Sequence, residues 1–101
     1  MAVSAAYLAK IKRAVRLTTT APEIATELWD TVEECRADLI RLGVSFNKAA
    51  DETDYHILDA VKRYARWKFA ADAYESARCA EEYKEKADEL RRMQDYGWSS
   101  V

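Results

Sequence analysis

The chain reads as an all-α protein, a small bundle of three to four helices with a short C-terminal tail. Three observations lead there. Eighteen alanines stand beside two glycines and one proline in 101 residues, so the best helix former is abundant and the residues that punctuate strands and tight turns are scarce. Apolar residues recur at spacings of three and four over long stretches, the period of a helix with one buried face. Half of the residues are apolar, which suffices for one modest core, and the length leaves little for a second domain. The expected organisation is a single helical domain over residues 1–101, with helices at about 5–17, 21–42, 54–70 and 73–94 and a tail over 95–101.

Each element has its own signals. Ser4 can cap a first helix through Tyr7, Leu8, Ile11 and Val15, with Lys10, Lys12, Arg13 and Arg16 towards the end where cations suit the helix dipole. Thr18-Thr19-Thr20 ends it. Thr20 with Glu23 forms a capping box, and Pro22 is tolerated in the first turn of the second helix. There Ile24, Leu28, Val32, Cys35, Leu39 and Leu42 share one face, and Gly43 is the stop. Residues 44–52 break the period and read as a loop whose Val44 and Phe46 fold back on the core. Thr53 or Asp54 caps a third helix with Ile57, Leu58, Val61, Tyr64 and Ala65 inside, flanked by Trp67 on one side and Phe69 on the other. Asp72 and Glu75 form a weaker capping pair, so the chain either turns near Ala70-Ala71 into a fourth helix through Ala80, Tyr83, Ala87 and Leu90, or continues as one kinked helix.

Charge is distributed unevenly behind the net value of −2. Residues 1–17 carry four bases and no acid, residues 18–60 ten acids and three bases, and residues 61–101 nine bases and eight acids. The near balance of the last segment argues against a chain whose main task is coating a polyanion. Lys10, Lys12 and Arg13 interrupt the apolar residues of the N-terminal segment, so neither a signal-peptide core nor a membrane span is expected. Cys35 and Cys79 do not form the dense framework of a secreted mini-protein, and two free thiols in a cytosolic, soluble product are expected.

Catalytic and metal constellations are weak. His56 is the single histidine, which removes His-pair metal sites and the di-iron bundle pattern, and it reads as an ordinary first-turn residue. No glycine elbow surrounds a serine, Cys35 lies on a core stripe, and Glu33-Glu34 and Glu81-Glu82-Glu85 have Arg36, Lys84 and Lys86 nearby, as solvated helix faces do. No catalytic residue, metal ligand or cofactor is therefore assigned.

Surface features carry more. Lys62, Arg63, Arg66 and Lys68, interleaved with Tyr64 and Trp67, are the most plausible nucleic-acid feature, though Lys62, Arg63 and Arg66 fall where a central helix must be polar anyway. Lys68 falls in the apolar sector and must snorkel or find an acidic partner. Trp67, Phe69, Tyr74, Tyr96 and Trp98 exceed what so thin a core needs, and aromatics dominate binding hot spots; the equal alternative is that Trp98 packs back over the bundle. Trp67, Phe69 and Lys68 are the candidate subunit interface, and Tyr96, Trp98 and Val101 in the tail are the candidate docking residues for a larger partner.

The stretch from Asp54 to Ala65 resembles the third helix of the small head–tail connector, or adaptor, proteins of tailed bacteriophages: an acidic cap, then Ile57-x-x-Ala60-Val61-x-x-Tyr64. The break at Ala70 to Asp72, the charged helix ending in Leu90, Tyr96 in the tail, and the acidic amphipathic helix from Pro22 to Leu42 extend the resemblance over roughly residues 20–98. It implies a structural virion protein at the head–tail interface, made in the host cytoplasm. Copies would form a homo-oligomeric ring beneath the portal protein, extend the DNA channel without sequence-specific binding, and offer a platform to the next connector or tail component, with no membrane and no reaction involved. The alternative is a small cytosolic helical regulator that binds protein or nucleic acid, with Lys62, Arg63 and Arg66 as its candidate contacts.

Overall fold

A computed structural model describes residues 3–16, 22–93 and 96. Among the described residues five helices follow one another: α1 (Ala5–Ala14), α2 (Pro22–Arg41), α3 (Phe46–Ala49), α4 (Tyr55–Lys68) and α5 (Ala73–Arg92). The molecule measures 43 × 30 × 18 Å, and its thinnest dimension leaves space for about two layers of helices. All-α packing is therefore achieved with one thin core.

Ser4 caps α1 by accepting from the Tyr7 N–H, and Tyr7 and Ile11 bury one turn apart. The helix ends at Ala14, earlier than the 5–17 expected, because Arg16 takes a left-handed conformation at φ 58° and its N–H turns back to the Arg13 carbonyl. Thr20 lies outside the described residues, and with it the expected capping box. Pro22 opens α2, where its missing N–H costs no helical bond. Leu28, Val32, Cys35 and Leu39 are buried along one face of α2, while Ile24 and Leu42 are only partly buried.

Gly43 ends α2 through a Schellman motif at φ 114°: its N–H reaches the Ile40 carbonyl, and the Val44 N–H reaches that of Leu39, five residues back. Val44 thereby lands on Leu39 in the core, as expected. Phe46 does not, being half exposed at 52%. The expected loop instead contains α3, because Ser45 accepts from the Lys48 N–H and starts a single helical turn that points Ala49, not Phe46, inward. Asp51 accepts from the Thr53 N–H and hydroxyl, and Asp54 then caps α4 by accepting from the His56 and Ile57 N–H groups.

α4 and α5 are two antiparallel helices and not one kinked helix: Tyr64 meets Tyr83 while Asp59 meets Lys86. Asp72 caps α5 through the Glu75 N–H. Ala60, Ala65, Ala80 and Ala87 are buried on these helices, and such small side chains let the backbones approach closely. Cys35 and Cys79 are buried free thiols, and burial pushes the Cys35 thiol far above its ordinary value. No described helix is long and apolar enough to cross a membrane.

Arg36 departs from the solvated face expected around Glu33-Glu34. Only 1% of it is exposed; its guanidinium lies 3.3 Å from Glu52, 3.7 Å from Glu33 and 5.7 Å from the Tyr7 ring centre. Glu52 also accepts from the Ser4 hydroxyl (2.6 Å) and N–H (2.9 Å). One charged group thus ties α2, the entrance to α4 and the start of α1 together. Burial alone would raise the Glu52 carboxyl, but the bonds from Ser4 and Arg36 bring it below the usual range.

Candidate functional site

The buried face of α4 carries Ile57, Val61, Tyr64 and Ala65, and the helical period sends Trp67 and Phe69 to opposite flanks of it. Both are partly buried. On the first flank Trp67 lines a cleft with Asp38, Arg41 and Leu42 at the end of α2 and Tyr83 and Lys84 of α5. Its indole meets Tyr64 edge-on at 5.5 Å and tilts over Tyr83 at 6.1 Å. Lys68 is exposed and finds no acid among the described residues. Its ammonium lies 4.1 Å from the Trp67 ring centre and 5.2 Å from that of Tyr64, where the negative faces of the rings attract it.

Beneath this patch the Tyr83 hydroxyl donates to Asp38 at 2.7 Å, and Arg41 grips the other Asp38 oxygen at 2.6 Å. Burial, then the neighbouring thiol and carboxylate, hold the Tyr83 hydroxyl far above its ordinary value. Tyr64 is pushed up to about 12, by burial first and then by the neighbouring Glu34, Cys35 and Asp38. Both hydroxyls stay protonated at neutral pH, and that of Tyr83 is fixed by its bond to Asp38.

On the second flank Phe69 opens onto a cleft with Arg13, Val15 and Arg16 beside α1 and Glu75, Arg78 and Cys79 of α5. Arg13, Ala14 and Arg66 continue into an adjoining depression lined also by Lys10, Tyr55, Leu58 and Lys62. Arg66 donates to the Ala14 carbonyl at 3.4 Å, so it covers the open end of α1. Arg63, grouped with Lys62 and Arg66 by sequence, is turned away: it bonds Asp59 at 3.3 Å and the Glu82 carbonyl at 3.1 Å.

No protein-family model, curated protein or solved structure matches this chain.

The tail residues divide. Tyr96, proposed from sequence as a docking residue, is 7% exposed and belongs to the core. Its hydroxyl donates to Asp54 at 2.5 Å, its carbonyl accepts from the Ser45 N–H at 2.6 Å, and Lys48 sits 5.0 Å from its ring centre. Asp54, 42 residues earlier, offers the phenol a part-buried acceptor, which a count of surplus aromatics does not take into account. Trp98 and Val101 lie outside the described residues. His56 is an exposed first-turn residue with Nδ1 3.1 Å from the Lys86 ammonium, edge-on to Tyr96 at 6.2 Å. Among the described residues no three His, Cys, Asp or Glu side chains gather as a metal site would require.

Sequence reasoning missed two features. Arg36 stands one helical step from the Val32–Cys35 stripe, and that adjacency was the available signal. The meeting of Lys10 and Arg13 with Lys62 and Arg66 had none, since it depends on how α1 crosses α4.

Proposed function

We propose that this chain is a structural subunit of a tailed-phage head–tail connector, assembling as a ring beneath the portal and extending the DNA channel towards the tail. The observation that carries the reading is the pair of chemically different flanks on α4, aromatic with Trp67 and Lys68 on one side and basic with Phe69, Lys62 and Arg66 on the other. A subunit placed between two identical neighbours needs two different surfaces, one for each. The resemblance from Asp54 to Tyr64 supplies the identity of the assembly. In this reading the protein performs no reaction and holds no cofactor; its work is shape and contact, with the portal on one side and the next tail component on the other, and the DNA passes without being read.

The experiment substitutes Trp67→Ala and Phe69→Ala and measures each for thermal stability alone and for ring formation by native mass spectrometry with the portal protein. At least one variant stays folded and fails to assemble. An interface aromatic cut to Ala costs ~2 kcal/mol or more of binding, whereas a core aromatic costs ~3–5 kcal/mol of folding, so the two losses are separable. If both variants merely unfold, or both assemble normally, α4 is not the ring contact. The regulator reading draws on Lys62 and Arg66, and salt-sensitive retention of duplex DNA by the isolated chain would favour it.

A further inference from the structure

Basic side chains in this molecule fall into two groups. Nine of them, from Arg36 to Arg92, each hold a carboxylate at 3.8 Å or closer. Lys10, Lys12, Arg13, Arg16, Lys62 and Arg66 hold none among the described residues, and five of these six line two adjoining clefts at the α1–α4 junction, one of which α5 also lines with Arg78, Glu75 and Glu82. The remaining cation, Lys68, is stacked on Trp67. Helix-dipole compensation accounts for Lys12 and Arg13 in the last turn of α1, but not for Lys62 in the body of α4 or for Lys10. Arg16 adds a backbone cost, since a non-glycine residue at φ 58° occupies the left-handed region against its steric preference.

The acids show the complementary pattern on α2. Glu23, Glu27, Asp30 and Glu34 are spaced by four, three and four residues, which places them on one line along the helix, and all four are exposed. None holds a cation among the described residues, although α2 packs against both α1 and α4. Within one molecule the two sets of charges do not meet.

We propose that the basic cleft between α1 and α4 docks the acidic line of α2 from a second copy of this chain. The contact is heterologous, a surface on one helix pair meeting a different surface on the next copy, as closure into a ring requires. It rests on the connector reading and names, for the basic flank of α4, the surface of the neighbouring copy that meets it. Complementary charge also sets register, because sliding the acidic line out of the cleft sets like charges against like.

The test is self-association by sedimentation velocity and native mass spectrometry, alone and on the portal ring, at low and at about 0.5 M salt. Wild-type chains associate at low salt and dissociate as salt rises. Lys10→Glu with Arg13→Glu, or Lys62→Glu if α1 does not tolerate the pair, weakens association about tenfold or more, and so does Glu27→Lys with Asp30→Lys. Mixing the two reversed proteins restores association, because each then offers the face the other lacks. Reversed variants that assemble as wild type does overturn this contact and leave the ring reading standing. Wild-type chains that remain single even on the portal overturn both. If reversing the cations removes retention on duplex DNA while association is unchanged, the occupant is nucleic acid and the proposal fails.

Discussion

Substituting Arg36→Met removes the one charge on which three segments converge while keeping most of the side chain's volume. The methionine can still fill the space beside Tyr7, whereas Glu52 loses a guanidinium 3.3 Å away and keeps only the two bonds from Ser4. Breaking a fully buried ion pair by removing one partner costs ~3–5 kcal/mol. The Glu52 side chain is 27% exposed and recovers part of its hydration, so the expected loss is about 2–3 kcal/mol. At ~4–8 °C per kcal/mol for a domain of this size, the melting temperature falls by roughly 8–24 °C. Urea denaturation followed by circular dichroism measures it directly. The double variant Arg36→Met, Glu52→Gln recovers at least half of the loss, since no uncompensated charge then remains at Glu52. The sign with pH follows from the lowered Glu52 carboxyl. Its contribution is fully present above the unfolded value of about 4.5 and is lost as pH falls through the lower native value, so Arg36→Met flattens that acid limb. An Arg36→Met protein within about 0.5 kcal/mol of wild type, with an unchanged acid limb, would refute the coupling of α1, α2 and the α4 entrance through this charge.

Two further outcomes test the interior. Tyr96→Ala costs about 3 kcal/mol of folding, measured by urea midpoint, because it empties a core position and removes the Asp54 and Lys48 contacts; a loss below about 1 kcal/mol would return Tyr96 to the list of docking residues. Tyr7 and Tyr83 have native hydroxyls raised by burial above the unfolded value near 10, so stability is full below about pH 10 and declines above it; Tyr83→Phe weakens that decline and costs about 1 kcal/mol at neutral pH through the lost Asp38 bond, and an identical alkaline limb in both proteins would contradict the assignment.

The parts of the fold legible in the sequence are those governed by local chemistry. Ser4, Gly43, Asp54 and Asp72 act at the helix boundaries where their backbone-bonding chemistry placed them, and the α2 stripe from Leu28 to Leu39 is buried. Ser45 was equally local, but a single turn of helix is too short to show a period, so α3 passed as loop. Opposite flanks for Trp67 and Phe69 followed from the wheel, and the clefts they open on did not. Tyr96, Arg36 and the α1–α4 cleft were illegible for a shared reason: each is defined by partners 16 to 52 residues away, as with Arg36 to Glu52 and Arg66 to Ala14. Periodicity assigns a residue to a face but does not say what that face meets.

The same distinction explains how a nearly neutral chain can carry strong surface fields. Most of its charges are consumed within the molecule: Arg63 with Asp59, Arg78 with Glu82, Lys86 with Asp59 and Glu89, and Arg91 and Arg92 with Asp88. These exposed pairs are worth little for stability individually, but they remove both signs from α5 and the inner side of α4. The charge left over is what the uneven sequence segments contribute, positive from the first seventeen residues with Lys62 and Arg66, negative from the first half of α2. A net charge of −2 therefore arises from two separated fields of opposite sign, and each is the chemical complement of the other. In the contact proposed above the two fields meet between copies, and the angle between the α1–α4 cleft and the α2 line decides whether that contact closes as a two-fold pair or leads on to a further copy. In the proposed ring the number of copies follows from the rotation each contact imposes, and a portal presenting subunits at fixed angles would set that rotation from outside.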